Sequence, residues 1–371
     1  MRWCCFRHPT AGEEADGEST SNPAVDLADG YTSFADLELG HDELGRGQYG
    51  RVVRATHVSD RGAAFAVKIC DAKRMGASAA ADLRREVAIL RALRHAHVVR
   101  CYDCAEEKGA VFIVLELVAG GELFDRLVER TRYAEAEARA CARVLLDALA
   151  YVHSRGVAHR DVKPENLLLA SRANDHDVKL ADFGFAADAS AADLTAPCGT
   201  PNYVAPEILA RARYGVEVDA WSAGVLVFIL LGGYMPFDDA EIGVAAMYER
   251  IGRAEYTFDP DPFDHVSDAA KSLVRQLLVV DRAKRSSTRA ALEHPWFAES
   301  AECATCQHEL AQTLRHMKHW NAKRKLKGAT RAIIAQGRLT KLASDHEAEW
   351  AASAQVSADA VMAELSDSGD D

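Results

Sequence analysis

The 371-residue sequence lacks any apolar run long enough to cross a bilayer, since a spanning helix needs about 20 such residues. Its most apolar stretch, AGVLVFILLGGYMPF from Ala223, is short and broken by Gly and Pro, which fits a buried core helix. The start, MRWCCFRHPT, has no apolar centre of the kind a secretory signal carries. It also has Arg2 where N-myristoylation requires Gly, which excludes that anchor. Cys4 and Cys5 offer acylation as a route to a membrane, but two adjacent cysteines alone anchor weakly, and the expected compartment is the cytoplasm. Positive charge is short as well: the formal net charge of −12 argues against general nucleic-acid binding. No D-x-D-x-D-G loop closed by Glu occurs, so the chain is not expected to sense calcium itself. There is no internal repeat. Without an export signal, the nine cysteines read as reduced thiols. Of the two C-x-x-C pairs, Cys101/Cys104 sits in the alternating stretch VVRCYDCAEE, where one thiol is expected to face inward. Cys303/Cys306 lacks a complete second ligand pair, which argues against zinc.

What is present is a dense middle between two polar ends. Residues 1–33 are rich in Ala, Gly, Ser and acidic residues and read as a disordered leader. Residues 34–297 begin with alternating strands, FAVKIC and VFIVLEL, and continue into helices such as AEAEARACARVLLDALAYVHS. A small strand-rich part followed by a larger helical part predicts an α+β fold of two lobes with a cleft between them. Residues 298–335 form a second helical and basic segment. Residues 336–371 read as an acidic tail, with eight acidic residues and no Lys or Arg after Lys341.

Three constellations in the middle carry chemistry. In LGRGQYGRVV, Gly45, Gly47 and Gly50 would let backbone N–H groups approach phosphate oxygens that a Cβ holds away. A lone pattern of this kind is equally a tight hairpin. A dinucleotide fold would need a helix after it, whereas GRVVRAT reads as a second strand. FAVK then places Lys68 at the end of an apolar strand, where a lysine is unusual unless it meets an anion. Glu86, in ADLRREVAILRAL, is a helical partner for it. Finally, HRDVKPENLL and KLADFG bring Asp161, Lys163, Asn166 and Asp182 into one order, with the hard oxygen donors that Mg²⁺ chemistry requires.

With APE at Ala205–Glu207 and DAWSAGVLVFILLGGYMPF from Asp219, these motifs resemble the signature set of eukaryotic protein kinases over 34–297. LELVAGGELFD, HRDVKPENLLLAS, CGTPNYVAPEIL and EHPWF resemble the calcium/calmodulin-dependent group. The resemblance implies the two-lobed kinase fold, with a five-stranded lobe carrying one helix, a helical lobe, and ATP and Mg²⁺ in the cleft. It implies that Gly45, Gly47 and Gly50 cover the phosphates and that Lys68, paired to Glu86, holds them. Leu44, Val52, Ala66 and Leu168 would enclose adenine, the backbone from Glu116 to Val118 would read its edge, and Leu115 would be the gatekeeper. Asn166 and Asp182 would hold Mg²⁺, Asp161 would accept or orient the substrate hydroxyl, and Lys163 would face the transferring phosphoryl group. Lys163 together with GTPNY around Thr200 resembles serine/threonine rather than tyrosine kinases. Glu122, Asp125 and Glu165 match positions that gather Arg upstream of the phosphoacceptor. Arg160 would clamp a phosphorylated activation loop; that loop offers Ser190 and Thr195 but has Ala196 where many relatives carry the phosphorylated Thr.

The segment LAQTLRHMKHWNAKRKLKGA resembles the regulatory helix of calcium/calmodulin-dependent protein kinase II, which implies autoinhibition relieved by Ca²⁺-calmodulin. Leu310, Leu314 and Met317 at i, i+4 and i+7 would form one apolar stripe. Lys323, Arg324, Lys325 and Lys327 suit an acidic partner. Trp320, Leu326 and Ile333 are the candidate calmodulin anchors. Thr313 falls at the autophosphorylation position, but Leu310 stands where the family has Arg, so a basophilic kinase is expected to modify it poorly. The family's hub domain has no counterpart here, and a monomer is expected. A kinase-like scaffold, and a constitutively active kinase without calmodulin control, remain the competing readings.

Overall fold

Five antiparallel strands in the order β1-β2-β3-β5-β4 build the first lobe: β1 Leu37–Gly47, β2 Gly50–His57, β3 Ala64–Asp71, β4 Cys101–Glu107 and β5 Ala110–Glu116. The computed structural model describes residues 33–327 except 48–49, 61, 173, 176, 191–193, 239–241 and 299–308. Alternation along β3 divides its residues between two faces. Phe65 and Val67 join Val53, Ala55 and Val114 in one apolar cluster. Cys70 packs with Val111 and Ile113 against Leu83 and Val87 of helix α1, Ala77–Ala92. Lys68 shares the α1 side with Cys70. It lies within the strand rather than at its end, because β3 continues to Asp71.

Cys101 and Cys104 correct a second expectation. Simple alternation would send them to opposite faces, but a register shift between Cys101 and Asp103 lets both pack against the α1-side cluster. Burial pushes their thiols up to about 12 and about 11, so both stay protonated at neutral pH.

The second lobe is helical: α2 Leu123–Glu129, α3 Glu135–Ser154, α4 Glu217–Gly232, α5 Gly243–Arg253, α6 Asp268–Leu277 and α7 Thr288–Leu292. Short strands β6 Val157–Ala158, β7 Leu167–Leu169, β8 Val178–Leu180 and β9 Ala187–Asp188 edge the cleft, paired β6 with β9 and β7 with β8. The long apolar run does become a core helix, α4, buried at every position from Val218 to Gly232. It stops at Gly233, whose left-handed φ of 76° suits glycine at a helix C-cap.

Residues 309–317 belong to the same unit as both lobes. Glu309 bridges to Ala134, and the Leu310 N–H donates to the Tyr133 carbonyl at 2.7 Å. Residues 311–317 are helical, and the stripe of Leu310, Leu314 and Met317 is buried as its spacing predicts. Thr313, fully buried, donates its hydroxyl to the Leu231 carbonyl at 2.7 Å. A Cβ at Gly233 would sit 2.2 Å from the Thr313 carbonyl oxygen and 2.7 Å from the Met317 nitrogen, so the close approach needs glycine there.

Residues 318–371 form a separate unit, described over 318–327, which are helical. Within it the Arg324 guanidinium lies 5.7 Å from the Trp320 ring centroid and donates to the Asn321 side-chain oxygen.

Candidate active site

The glycine motif joins β1 to β2 through the pair Gly47–Gly50, strand to strand, which is incompatible with a dinucleotide fingerprint. Its glycines serve different ends. A Cβ at Gly50 would strike the Ile69 carbonyl at 1.8 Å, whereas one at Gly45 would meet nothing within 4 Å. Gly50 is therefore required by β3, and Gly45 faces the open space in which phosphate would lie.

Strand register assembles the floor of the cleft. Val52 pairs with Lys68, and Ala66 pairs with Leu115, so these four residues share one face of the sheet. Leu44 is half-exposed at the lip, and Leu168 is partly buried on β7. The Glu116 N–H is engaged by the Arg100 carbonyl at 2.8 Å, so it supplies no donor to an adenine edge. The Glu116 carboxylate meets Lys179 at 2.7 Å.

Lys68 Nζ lies 2.6 Å from Glu86 Oε1, the central ion pair of the lobe. Burial pushes the ammonium down, but the Glu86 carboxylate and Asp182 more than offset this, and the net shift is upward. Lys68 is thus held as a cation, able to meet a polyanion.

The loop after β6 carries Asp161, Lys163 and Asn166, the candidate reacting groups. Asp219, fully buried in the first turn of α4, accepts the N–H groups of His159 at 2.7 Å and Arg160 at 2.8 Å, and His153 Nε2 at 2.9 Å. This anchor holds Arg160 at a φ of 68°, a conformation that non-glycine residues adopt only under constraint. Asp161 follows, 4% exposed, with Oδ1 accepting from Thr200 Oγ1 at 2.7 Å and Oδ2 accepting from Lys163 Nζ at 2.5 Å. Asn166 ends a short 3-10 turn, Pro164–Asn166, and donates its amide to the Asp161 carbonyl at 2.8 Å. Asp182 is exposed toward the cleft side of Lys68, with a φ of 60°.

Mg²⁺-ATP fits this set. Among the described residues no group of three or more acidic, His or Cys side chains could hold a metal unaided. Asn166 and Asp182 supply two hard oxygen donors, fewer than the about six that Mg²⁺ takes. Phosphate and water oxygens would complete the shell when a nucleotide binds.

The remaining sequence-derived residues divide between the cleft margin and the C-terminal segments. Glu122 occupies the N-cap position of α2 and bridges to Leu168, which sets it beside the strand that follows Glu165; Asp125 lies in the first turn of α2. Thr195 is exposed, and Ser190 donates its hydroxyl to Asp188. Arg160 faces the activation segment: its guanidinium donates to the Phe185 carbonyl at 2.6 Å and to the Tyr214 hydroxyl at 3.1 Å. Trp320 and Leu326, the latter 68% exposed, belong to the second unit, and Ile333 lies outside the described residues.

Three residues important here escape sequence reasoning. Asp219 is visible within DAWSAG but has no role there. Arg285 forms a bidentate, buried pair with Glu207 of APE at 2.7 and 2.9 Å, and no spacing rule connects residues 78 positions apart. Tyr214 leaves no sequence signal.

A two-lobed fold with a glycine-rich strand turn, a Lys–Glu pair and an Asp–Lys–Asn loop defines a protein kinase, and the family model "Protein kinase domain" matches residues 40–297. The chain belongs to that family. It is 40% identical over 300 residues to the calcium/calmodulin-dependent protein kinase type II subunit delta of Oryctolagus cuniculus, covering 80% of this chain. The alignment spans 56% of that relative's length.

Proposed function

We infer that the protein is a Mg²⁺-ATP-dependent serine/threonine kinase, selective for basic residues upstream of the phosphoacceptor, restrained by its segment 298–335 and released by Ca²⁺-calmodulin. The transferase reading is carried by the buried Asp161 set between Lys163 and Thr200, in a lobe pair that also keeps Lys68 on Glu86. A scaffold that only bound nucleotide would have no use for Asp161 held between Lys163 and Thr200.

When bound, Mg²⁺-ATP supplies the phosphoryl group and neutralises part of its charge. Gly45 leaves room for the phosphates, and Lys68, fixed as a cation by Glu86, draws them into position. Asp161 accepts or orients the substrate hydroxyl. Thr200 and Lys163 hold that carboxylate from both oxygens, so its orientation is set before substrate arrives. Lys163 also presents positive charge to the transferring group. Positioning and charge stabilisation of this kind supply most of the rate in such reactions.

Glu122, Asp125 and Glu165 support the basophilic preference, since carboxylates pair with guanidinium in bidentate fashion. The docked residues 309–317 support autoinhibition. Calmodulin control rests on the run from Lys323 to Lys327 with its apolar anchors, and on likeness to a relative whose name includes calmodulin. Thr313, buried with its hydroxyl engaged and without an upstream Arg, is a poor autophosphorylation site.

The test is transfer of labelled phosphate from ATP to an Arg-x-x-Ser peptide by the full chain, with and without Ca²⁺-calmodulin, beside Trp320→Glu. Transfer that rises with Ca²⁺-calmodulin in the wild type but not in Trp320→Glu is expected. No transfer under any condition rejects the enzyme reading. Transfer indifferent to calmodulin rejects the regulatory half and leaves a constitutive kinase.

A further inference from the structure

By sequence Arg160 resembles a receptor for a phosphate on the activation segment. In the structure it has a different partner. Tyr214, fully buried, accepts from Arg160 Nη1 at 3.1 Å and donates its own hydroxyl to the Ala196 carbonyl at 2.5 Å. Its main chain is bound to the same stretch: the Leu194 N–H donates to the Tyr214 carbonyl at 2.7 Å, and the Tyr214 N–H donates to the Leu194 carbonyl at 2.9 Å. Cys198 Sγ lies 3.7 Å from the same hydroxyl. Three bonds from one residue thus fix residues 194–196, with Cys198 in contact beyond them.

Two residues further on stands Thr200, which holds Asp161. The link between them is tight. A Cβ at Gly199, whose φ is 99°, would stand 2.6 Å from the Arg160 carbonyl, so the activation segment packs directly on the backbone next to Asp161. Burial raises the Tyr214 phenol, with Arg160 pulling against it, so the hydroxyl stays protonated and can donate and accept at once. Thr195, the residue a phosphate would modify, is exposed beside this fixed frame.

We propose that Tyr214 is a positioning residue for phosphoryl transfer. Its hydroxyl joins Arg160 to the Ala196 carbonyl, and so sets Thr200 against Asp161 without a phosphate on Thr195. The inference rests on the kinase reading and adds to it how the activation segment is ordered. An uncharged phenol does here what a phosphate does in a clamp built on an arginine.

The full chain is assayed with peptide and Ca²⁺-calmodulin as wild type, Tyr214→Phe, Arg160→Lys, their double variant and Thr195→Ala, each with its melting curve. Tyr214→Phe keeps the ring and removes only the hydroxyl. It should lower kcat about tenfold, the scale of one hydrogen bond to a charged group, with KM for ATP unchanged. Arg160→Lys should show a similar loss, and the double variant should be no worse than the worse single variant, because both break one link. Thr195→Ala and phosphatase-treated wild type should keep full activity.

Wild-type kcat in Tyr214→Phe, or losses that multiply in the double variant, would overturn the proposal. So would dependence of activity on Thr195. Should Tyr214→Phe melt early, Arg160→Lys decides the matter, and a normal kcat in that variant would equally overturn the proposal. A wild type without transfer rejects the kinase reading itself, an outcome distinct from all of these.

Discussion

Asp219 shows how much one carboxylate can order. From the first turn of α4 it receives two main-chain N–H groups of the catalytic loop and the ring of His153, which in turn meets Thr288 at 3.0 Å. Burial alone would push its carboxyl up, but the hydrogen bond and charge of His153, with help from His159, carry it below the ordinary carboxylate range. A depressed acid stabilises the fold above its unfolded value and loses that contribution as pH falls through the lower folded value. Asp219→Asn should therefore destabilise the protein at neutral pH by about 3 kcal/mol, the cost of breaking a buried charged pair. In urea titrations the gap between wild type and variant should narrow only below the ordinary carboxylate range. A gap that does not change down to the acid transition would show that Asp219 acts through shape rather than charge.

Between elements, the Glu207–Arg285 pair ties the segment after the activation loop to the approach to α7. Arg285 is also stacked 5.2 Å from the Trp221 ring centroid of α4. Glu207→Gln leaves Arg285 buried with half its partner, which costs about 3–5 kcal/mol. The melting temperature should fall by roughly 10 °C. Replacing both residues by apolar ones of similar volume should recover most of that loss in calorimetry. Recovery would assign the cost to the orphaned charge and not to lost packing.

This pair also marks where the sequence stops being legible. Strands, helices and their order show in period-2 and period-3.6 patterning, and the apolar run at Ala223 reads as the core helix it forms. Lys68, Glu86, Asp161, Lys163, Asn166 and Asp182 are legible because the chemistry needs those residue types in that order. What stays hidden depends on the third dimension. Lys68 reads as a strand end because nothing local shows that β3 runs on to Asp71. The side on which Cys101 and Cys104 lie follows from a bulge that alternation cannot reveal. The partner of Arg160 is hidden because a tyrosine more than 50 residues away has no local mark.

Across the whole molecule, the first lobe supplies the Lys68–Glu86 ion pair, the second supplies the acid and its supports, and residues 309–317 close one end of α4. That closure has no slack: at Gly233 even a methyl group would collide with the Thr313 carbonyl and the Met317 nitrogen. The seat thus works as a tolerance gauge set at zero side-chain atoms, and on the proposed regulatory reading Gly233→Ala would stand in genetically for Ca²⁺-calmodulin. A left-handed alanine itself costs only about 1–2 kcal/mol, which the lobe can bear, while the helix above it cannot stay seated. If the docked segment restrains the kinase as proposed, the full-length variant should phosphorylate peptide without Ca²⁺-calmodulin at the rate wild type reaches with it, and limited proteolysis should cut near Thr313 sooner. Undiminished calcium dependence, with Thr313 still protected, would mean that the methyl group is absorbed beneath the helix rather than lifting it.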